Sequence, residues 1–182
     1  VMGHEFSGQI VEIGKGVEGL RIGQRVAAFP AVGCGQCAAC AVGNWILCPS
    51  AERISGGFGQ YVSLPAAAAI PLGEDLSAAD GALVEPLTVS LYSVGVAAIQ
   101  PGDRVLVLGA GTIALTAIYW ARRLGAGRIV AMSRSPRRAE LAIRMGANAF
   151  VAYGENEVAE GIEALGGPAD HVFECVGVPG ML

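Results

Sequence analysis

The hydrophobic pattern of the second half of the chain alternates between two kinds of segment. Short runs of branched apolar residues, typical of buried strands, are followed by longer stretches with helical spacing. In order, the pattern predicts strand 104–108, helix 112–124, strand 128–132, helix 136–146, strand 149–152, helix 155–165 and strand 170–175. Repeated β-α alternation predicts an α/β region with a parallel, doubly wound sheet.

The first hundred residues follow a different pattern. Short apolar stretches at 9–13 and 25–29 are separated by single glycines, which indicates strands joined by turns. A further strand is predicted at 61–64, after a glycine-rich bend that does not lead into a helix. A helix at about 78–99 is expected to join this β-rich lobe to the α/β region.

Composition excludes several classes of protein. The chain has 182 residues, of which 53% are hydrophobic, and its net charge is −4. A disordered segment would contain far fewer apolar residues. An acidic chain with Lys15 as its single lysine offers no basic surface, so we expect no nucleic-acid partner. The longest uncharged run, 26–51, contains four cysteines and two prolines, so we expect no membrane-spanning helix there.

The start of the chain lacks the features of a secretory signal. Neither a basic segment nor an apolar core follows Val1, and we therefore expect a cytoplasmic protein. The chain also does not begin with methionine, which favours residues upstream of Val1.

Four of the five cysteines are clustered. Cys34, Cys37, Cys40 and Cys48 have the spacing C-x2-C-x2-C-x7-C, and the glycines between them allow the chain to fold back on itself. Four thiolates around one soft cation predict a structural zinc site. Two disulfides and an iron–sulfur site are the alternatives. For the fifth cysteine, Cys175, and for His171 we expect packing at the ends of a strand.

A glycine-rich loop lies between the first predicted strand and helix of the α/β region. Strand, glycine turn and helix in this order are typical of dinucleotide binding, in which backbone N–H groups approach a pyrophosphate. Ala114 replaces the third glycine of the usual motif. The candidate cofactor-binding residues of this loop are Gly109, Ala110, Gly111, Thr112 and Ile113.

The second predicted strand of this region indicates which nucleotide is bound. A carboxylate at its end would bind the adenosine ribose of NAD, but the sequence has Ser133 and Arg134 there, with Arg138 close behind. Arginines at the start of a helix favour an anionic ligand, and the 2′-phosphate of NADP is such a ligand. We expect NADP, with NAD as the alternative cofactor; solvated surface arginines are the other interpretation.

In its motifs the chain resembles the zinc-dependent medium-chain alcohol dehydrogenases, especially their polyol and threonine dehydrogenase branch. The resemblance covers nearly all of the sequence. It rests on Gly3-His4-Glu5 with Ser7-Gly8, the four cysteines, Gly57-Phe58 before Tyr61-Val62, Val84-Glu85-Pro86-Leu87, and Gly109-Ala110-Gly111. It implies a GroES-like catalytic lobe at 1–95, incomplete at its N-terminus, and the first part of a Rossmann domain at 96–182.

The resemblance also implies a catalytic zinc site. Its ligands would be His4 and Glu85, with Glu5 beside them as a direct or exchanging ligand. Neighbouring strand residues point to opposite faces, so joint ligation by His4 and Glu5 requires a local bend. A local His–Glu hydrogen bond, and a helix-capping role for Glu85, are the alternatives.

The implied activity is hydride transfer between NAD(P) and an alcohol, such as a polyol, sugar alcohol or amino alcohol, or the matching carbonyl compound. The family's upstream cysteine ligand and proton relay are not in this sequence, and about four of six Rossmann strands are recognisable. We therefore expect an inactive fragment of a longer, homo-oligomeric enzyme. A zinc-free quinone or enoyl reductase and a non-catalytic NADP-binding protein are the alternative functions.

Overall fold

The computed structural model describes residues 2–180. Contacts divide the chain into two compact units, Val1–Glu85 and Pro86–Leu182. This division falls near the start of the helix Val84–Val96, whereas the boundary expected from sequence falls near its end.

Unit 1 contains short antiparallel strands. Strands β1, β2 and β5 form one sheet in the order β1-β2-β5, and β3 pairs with β4. The strands are β1 Ser7–Gln9, β2 Arg25–Ala28, β3 Ala31–Val32, β4 Glu52–Arg53 and β5 Ala69–Pro71. The apolar residues of the central strand β2 are buried, which makes it the core of this small sheet.

Two short helices accompany these strands. They are α1 Ala38–Ala41, inside the cysteine cluster, and α2 Ala78–Ala82. Single turns of 3₁₀ helix lie at Trp45–Leu47 and Ala66–Ala68. A capping box of Ser77 and Asp80 fixes the start of α2.

Three predictions for the first hundred residues differ from the structure. The strand expected at 9–13 lies earlier, as β1, because pairing with the turn at 23–24 ends at Ile10. The segment 61–64 forms no strand within the described residues, and Tyr61 is 71% exposed. The helix expected at 78–99 is divided into α2 and α3 Val84–Val96. Pro86 lacks the N–H that a continuous helix would direct to the carbonyl of Ala82, but it fits the first turn of a new helix.

Unit 2 contains the predicted parallel sheet, with strand order β8-β7-β6-β9. Its strands are β6 Arg104–Leu108, β7 Arg128–Ser133, β8 Ala149–Ala152 and β9 His171–Glu174. The register places Val105 opposite both Ile129 and His171. The expected α/β fold with a doubly wound sheet is confirmed.

Helices cover both faces of this sheet. They are α4 Thr112–Arg123, α5 Ala139–Met145 and α6 Glu157–Leu165, and a 3₁₀ turn at Pro136–Arg138 precedes α5. Residues of α3, α4 and α5 share one buried apolar cluster with β6 and β7, while Leu165 of α6 belongs to a second cluster. Among residues 2–180, no helix has the length and apolar character needed to cross a membrane.

Candidate metal and nucleotide sites

The four clustered cysteines converge in unit 1. The four sulfur atoms lie within 4.8 Å of one another, and all four residues are free thiols: Cys34, Cys37, Cys40 and Cys48. Sulfurs around a tetrahedral zinc ion are about 3.8 Å apart, given a Zn–S distance of about 2.3 Å. The cluster therefore fits zinc, and the disulfide alternative does not describe this structure.

Gly33 explains how the chain closes around this cluster. A Cβ atom at Gly33 would lie 2.4 Å from the Cys40 sulfur and 2.8 Å from Cδ1 of Trp45. The backbone N–H of Cys34 also donates a hydrogen bond to the Cys48 sulfur at 3.4 Å. The thiols are thus held by backbone that passes close beneath them.

Local hydrogen bonds give these thiols different acidities. Hydrogen bonds from the backbone N–H of Gln36, which has the larger effect, and of Cys37 lower the pKa of the Cys34 thiol to about 6. Desolvation raises the pKa of the Cys40 thiol to about 11. Zinc binds thiolates, so ion binding at this cluster must release protons.

The second group of possible metal ligands contains His4, Glu5 and Glu85. One donor atom from each lies within 4.8 Å of the others, and Nε2 of His4 is 3.8 Å from Oε1 of Glu85. Gly3 has a φ of 66°, and the backbone bends at residues 3 and 5. This is the local bend that lets His4 and Glu5 face the same point.

Glu85 is the most buried of these donors. It lies in the first turn of α3, and its side chain is 10% exposed against 35% for His4. Burial raises the pKa of the Glu85 carboxyl, the charge of Glu5 raises it further, and His4 opposes the shift. A partly buried carboxylate with an imidazole and a second carboxylate beside it has the chemistry of a divalent metal site.

A cavity of about 700 Å³ opens in unit 2 at the carboxyl ends of the parallel strands. Open α/β sheets bind their ligands at this edge. The cavity is lined by Gly109, Ala110, Gly111, Ser133, Arg134, Ser135, Arg137, Arg138, Tyr153, Cys175, Val176 and Val178. Six of the eight residues expected to bind the cofactor are among them, whereas Thr112 and Ile113 form the start of α4 behind the loop.

The two glycines of the loop meet different surroundings. Gly109 has a φ of 115°, and a Cβ there would lie 3.2 Å from the carbonyl oxygen of Cys175. Gly111 has a φ of −73°, and a Cβ there would meet nothing within 4 Å. Gly109 is therefore required by the fold, while the open space beside Gly111 is available to a ligand. Ala114 is fully buried where the third glycine of the motif would stand.

The arginines of the cavity also differ. Arg138 donates a hydrogen bond from Nη1 to the carbonyl of Ala110 at 2.8 Å and so holds the loop. Arg134 is exposed at the end of β7. A phosphate in the cavity would find Arg134 accessible and Arg138 partly engaged.

Tyr153 is a cavity residue that sequence reasoning missed. Its hydroxyl is buried without a hydrogen-bond partner among residues 2–180. Burial raises the pKa of this hydroxyl, and the nearby carboxylates of Glu174 and Glu157 add to the shift. Such an orphaned donor beside a cavity fits a polar ligand. Its position directly after a predicted strand was the signal that could have identified it.

His171 and Cys175 do more than pack at strand ends. Nε2 of His171 lies 2.8 Å from Oδ2 of Asp103, at the amino ends of the strands and away from the cavity. Cys175 lines the cavity at the opposite end of β9, and burial raises the pKa of its thiol to about 11.

Comparison with known proteins identifies the family to which this chain belongs. The alcohol dehydrogenase GroES-like domain matches residues 1–74, and the zinc-binding dehydrogenase domain matches residues 112–182. The chain belongs to the zinc-dependent medium-chain alcohol dehydrogenase family.

Individual relatives cover the whole chain. Sorbitol dehydrogenase of Bacillus subtilis is 32% identical over 100% of this chain and 54% of its own length. (R,R)-butanediol dehydrogenase of the same organism is 38% identical over 100% of this chain and 53% of its own length. A zinc-binding dehydrogenase structure from Sinorhizobium meliloti 1021, bound to NADP, is 34% identical with a TM-score of 0.85, covering 97% of this chain and 54% of that chain. The chain thus spans about half the length of these relatives.

Proposed function

We propose that this chain is part of a zinc-dependent oxidoreductase that transfers hydride between an alcohol and NADP. The substrate class is a polyol, sugar alcohol or amino alcohol, or the corresponding carbonyl compound. The observation that carries this proposal is the approach of His4, Glu5 and Glu85 donor atoms to within 4.8 Å of one another. The names of the relatives, which include sorbitol and butanediol dehydrogenases, support the substrate class.

In this proposal His4 and Glu85 hold the catalytic metal. Glu5 is exposed, so its carboxylate can ligate the ion or yield its place to water. Zinc, when bound, supplies a Lewis acid that polarises an alcohol or carbonyl oxygen. Burial of Glu85 keeps one carboxylate out of bulk water, which strengthens its attraction to a cation. The four cysteines hold a second, structural zinc ion.

The cavity of unit 2 receives the nucleotide. The nicotinamide cofactor supplies the hydride carrier, while the chain supplies binding and orientation. Gly109, Ala110 and Gly111 present backbone to the pyrophosphate at the start of α4, where Thr112 and Ile113 contribute N–H groups of the first turn. Arg138 holds this loop through Ala110.

NADP is favoured over NAD by the charge of the cavity. Arg134 and Ser133 line it at the end of β7, without a carboxylate at that position. The hydroxyl of Tyr153, unpartnered among residues 2–180, adds a donor in the same cavity. These groups suit the dianionic 2′-phosphate of NADP, because the ribose hydroxyl that NAD has at the same position carries no charge. The NADP-bound relative supports the assignment.

We propose a cytoplasmic homo-oligomer that acts on a small molecule, in which residues 1–95 form the catalytic lobe and 96–182 the first part of the nucleotide-binding domain.

Metal analysis combined with a substrate panel tests this function. We expect two zinc ions per subunit of the complete gene product, and NADP-dependent oxidation of at least one vicinal diol, sugar alcohol or amino alcohol. Replacing His4 by alanine should abolish oxidation and remove one zinc ion, leaving the other in place. Absence of zinc together with NADPH-dependent reduction of quinones or enones would overturn the proposal. Metal and nucleotide binding without hydride transfer would do so as well.

A further inference from the structure

The strand that follows His4 and the helix that precedes Glu85 are in direct contact. The hydroxyl of Ser7, at the start of β1, donates a hydrogen bond to the carbonyl of Ala78 in α2. Gly81, one turn further along α2, is buried against the same serine. The contact therefore joins the two segments that carry the proposed metal ligands.

The contact leaves no room for a side chain on α2. A Cβ at Gly81 would lie 2.7 Å from Cβ of Ser7 and 2.4 Å from Cδ1 of Leu72. The Leu72 methyl can rotate away, but the Cβ of Ser7 is fixed by the backbone of β1. A larger residue at 81 must push α2 away from the strand.

Both partners of this contact are fixed at their other ends. Strand β1 pairs with β2, with Ser7 opposite Ala27. Helix α2 begins at the capping box, in which the Ser77 N–H donates to Asp80 at 2.8 Å and the Asp80 N–H donates to Ser77 at 3.1 Å. Little freedom remains for either segment to shift independently.

The ligands lie close to this contact along the chain. Ser7 is three residues after His4, and Gly81 is four residues before Glu85. The intervening backbone is short, so a displacement of α2 from β1 changes the 3.8 Å separation of the imidazole and carboxylate.

We propose that Ser7 and Gly81 are positioning residues that set the spacing of the metal-binding groups of His4 and Glu85. This inference rests on the proposed function, because it assumes that these groups bind a metal ion. Residues that orient metal ligands without touching the ion affect metal affinity by about 10- to 100-fold. Ordinary packing would instead affect stability and leave the affinity unchanged.

Cobalt titration of the complete gene product tests the inference, because the family's upstream cysteine ligand is not in the 182-residue chain. The protein is first loaded with one equivalent of Zn²⁺ per subunit, which the four thiolates take in preference to imidazole and carboxylate. Co²⁺ is then added, and its visible absorption reports binding and geometry at the second site. Wild type is compared with Gly81→Ala, with Ser7→Ala, and with Gly95→Ala in α3. Gly95 is the matched control because a Cβ there meets nothing within 4 Å.

We expect Gly81→Ala and Ser7→Ala to weaken cobalt binding about 10-fold or more and to change its absorption spectrum. Gly95→Ala should match wild type in both. Ser7→Ala creates no clash, so it gives the answer if Gly81→Ala fails to fold. Wild-type affinity and spectrum in folded Ser7→Ala or Gly81→Ala would overturn the positioning role alone. Failure of wild type itself to bind cobalt at this site would overturn the proposed function, and the inference with it.

Discussion

Arg138 and Ala110 are joined by a hydrogen bond of 2.8 Å, from the guanidinium Nη1 to the backbone carbonyl oxygen. The bond ties the segment after β7 to the loop after β6, and both segments line the nucleotide cavity. Both arginines are exposed at the cavity, and Arg138 also acts on the shape of the loop through this bond. The two arginines should differ in their effects on the two nucleotides.

Replacement of Arg138 by alanine should weaken the binding of NADP and of NAD to a similar extent. The loop that receives the pyrophosphate loses its tether, and the pyrophosphate is common to both nucleotides. A charge-assisted hydrogen bond contributes about 1.5–3 kcal/mol, so we expect a loss of about 10- to 100-fold in affinity. Dissociation constants for both nucleotides, measured by calorimetry, check this. Loss confined to NADP would contradict the tethering role.

Replacement of Arg134 by alanine, or of Ser133 by aspartate, should lower kcat/KM for NADP more than kcat/KM for NAD. Arg134→Ala removes a cation from the 2′-phosphate, and Ser133→Asp adds a repelling charge that can instead accept from the ribose of NAD. The ratio of kcat/KM for NADP to that for NAD in the complete enzyme should fall about 10- to 100-fold. Arg144→Ala, on α5 and outside the cavity lining, is the control. A preference for NAD that neither substitution changes would contradict the 2′-phosphate assignment.

Alanine substitutions at Gly111 and Gly109 should separate effects on nucleotide binding from effects on the stability of the fold. Gly111→Ala places a methyl group in open space, so unfolding free energy should fall by no more than about 1 kcal/mol, the usual difference between glycine and alanine at an N-cap. Nucleotide affinity should nevertheless drop about 10-fold or more, because the methyl occupies the space next to the pyrophosphate. Gly109→Ala should destabilise by about 1–3 kcal/mol, since its φ is strained for alanine. Urea unfolding and calorimetry measure the two effects. Unchanged nucleotide affinity in Gly111→Ala would show that no ligand occupies this space.

Gly33→Ala should weaken zinc binding at the cysteine cluster. The added methyl would lie 2.4 Å from the Cys40 sulfur and force that thiol out of position. We expect zinc affinity at this cluster to fall about 10- to 100-fold, measured by competition with a chromophoric chelator. Gly14→Ala, where a Cβ meets nothing within 4 Å, is the matched control in the same unit. Equal zinc affinity in the two variants would contradict the prediction.

Acid should destabilise unit 2 through two aspartates at the amino ends of its strands. A hydrogen bond from the Gln100 N–H, and next a hydrogen bond with His171, lower the pKa of the Asp103 carboxyl from 3.8. Hydrogen bonds from the backbone and the side chain of Arg104 lower the pKa of the Asp170 carboxyl in the same way. A lowered pKa in the folded state gives stability that is present above the unfolded pKa and lost as pH falls through the folded value. Unfolding free energy should therefore decrease below about pH 4.

Urea denaturation at neutral and acidic pH measures this loss. Asp103→Asn should lose less stability on acidification than wild type, because one of the responsible carboxylates is absent. Asp75→Asn, in the other unit, should leave the acid response of unit 2 unchanged. An identical response in wild type and Asp103→Asn would contradict the assignment.

The α/β part of the fold was predictable because its signals are local. Apolar strands such as 104–108 are bounded by glycines, and Gly125 and Gly146 end the helices that follow them. Unit 1 was less predictable, because strands of two to four residues depend on pairing partners far along the chain. The division of the helix at 78–99 was readable from Pro86, which limits where a helix can begin.

The candidate sites show the same contrast. The cysteines and the glycine loop are clustered in sequence, so their spacing alone predicted them. Tyr153 was missed because its significance depends on an unpartnered hydroxyl, which only the folded chain reveals. The bracing of Ala110 by Arg138 is also tertiary, since 28 residues separate the two.

Strand β7 pairs with β6 on one side and β8 on the other, and four consecutive residues, Ile129–Met132, are buried. Its amide protons can then exchange with deuterated solvent only when unit 2 opens as a whole. Their exchange rate gives a direct reading of the opening equilibrium of that unit. Nucleotide that binds only the closed form would slow exchange at β7 in proportion to its occupancy, even though Ser133 is the one described residue of β7 that lines the cavity.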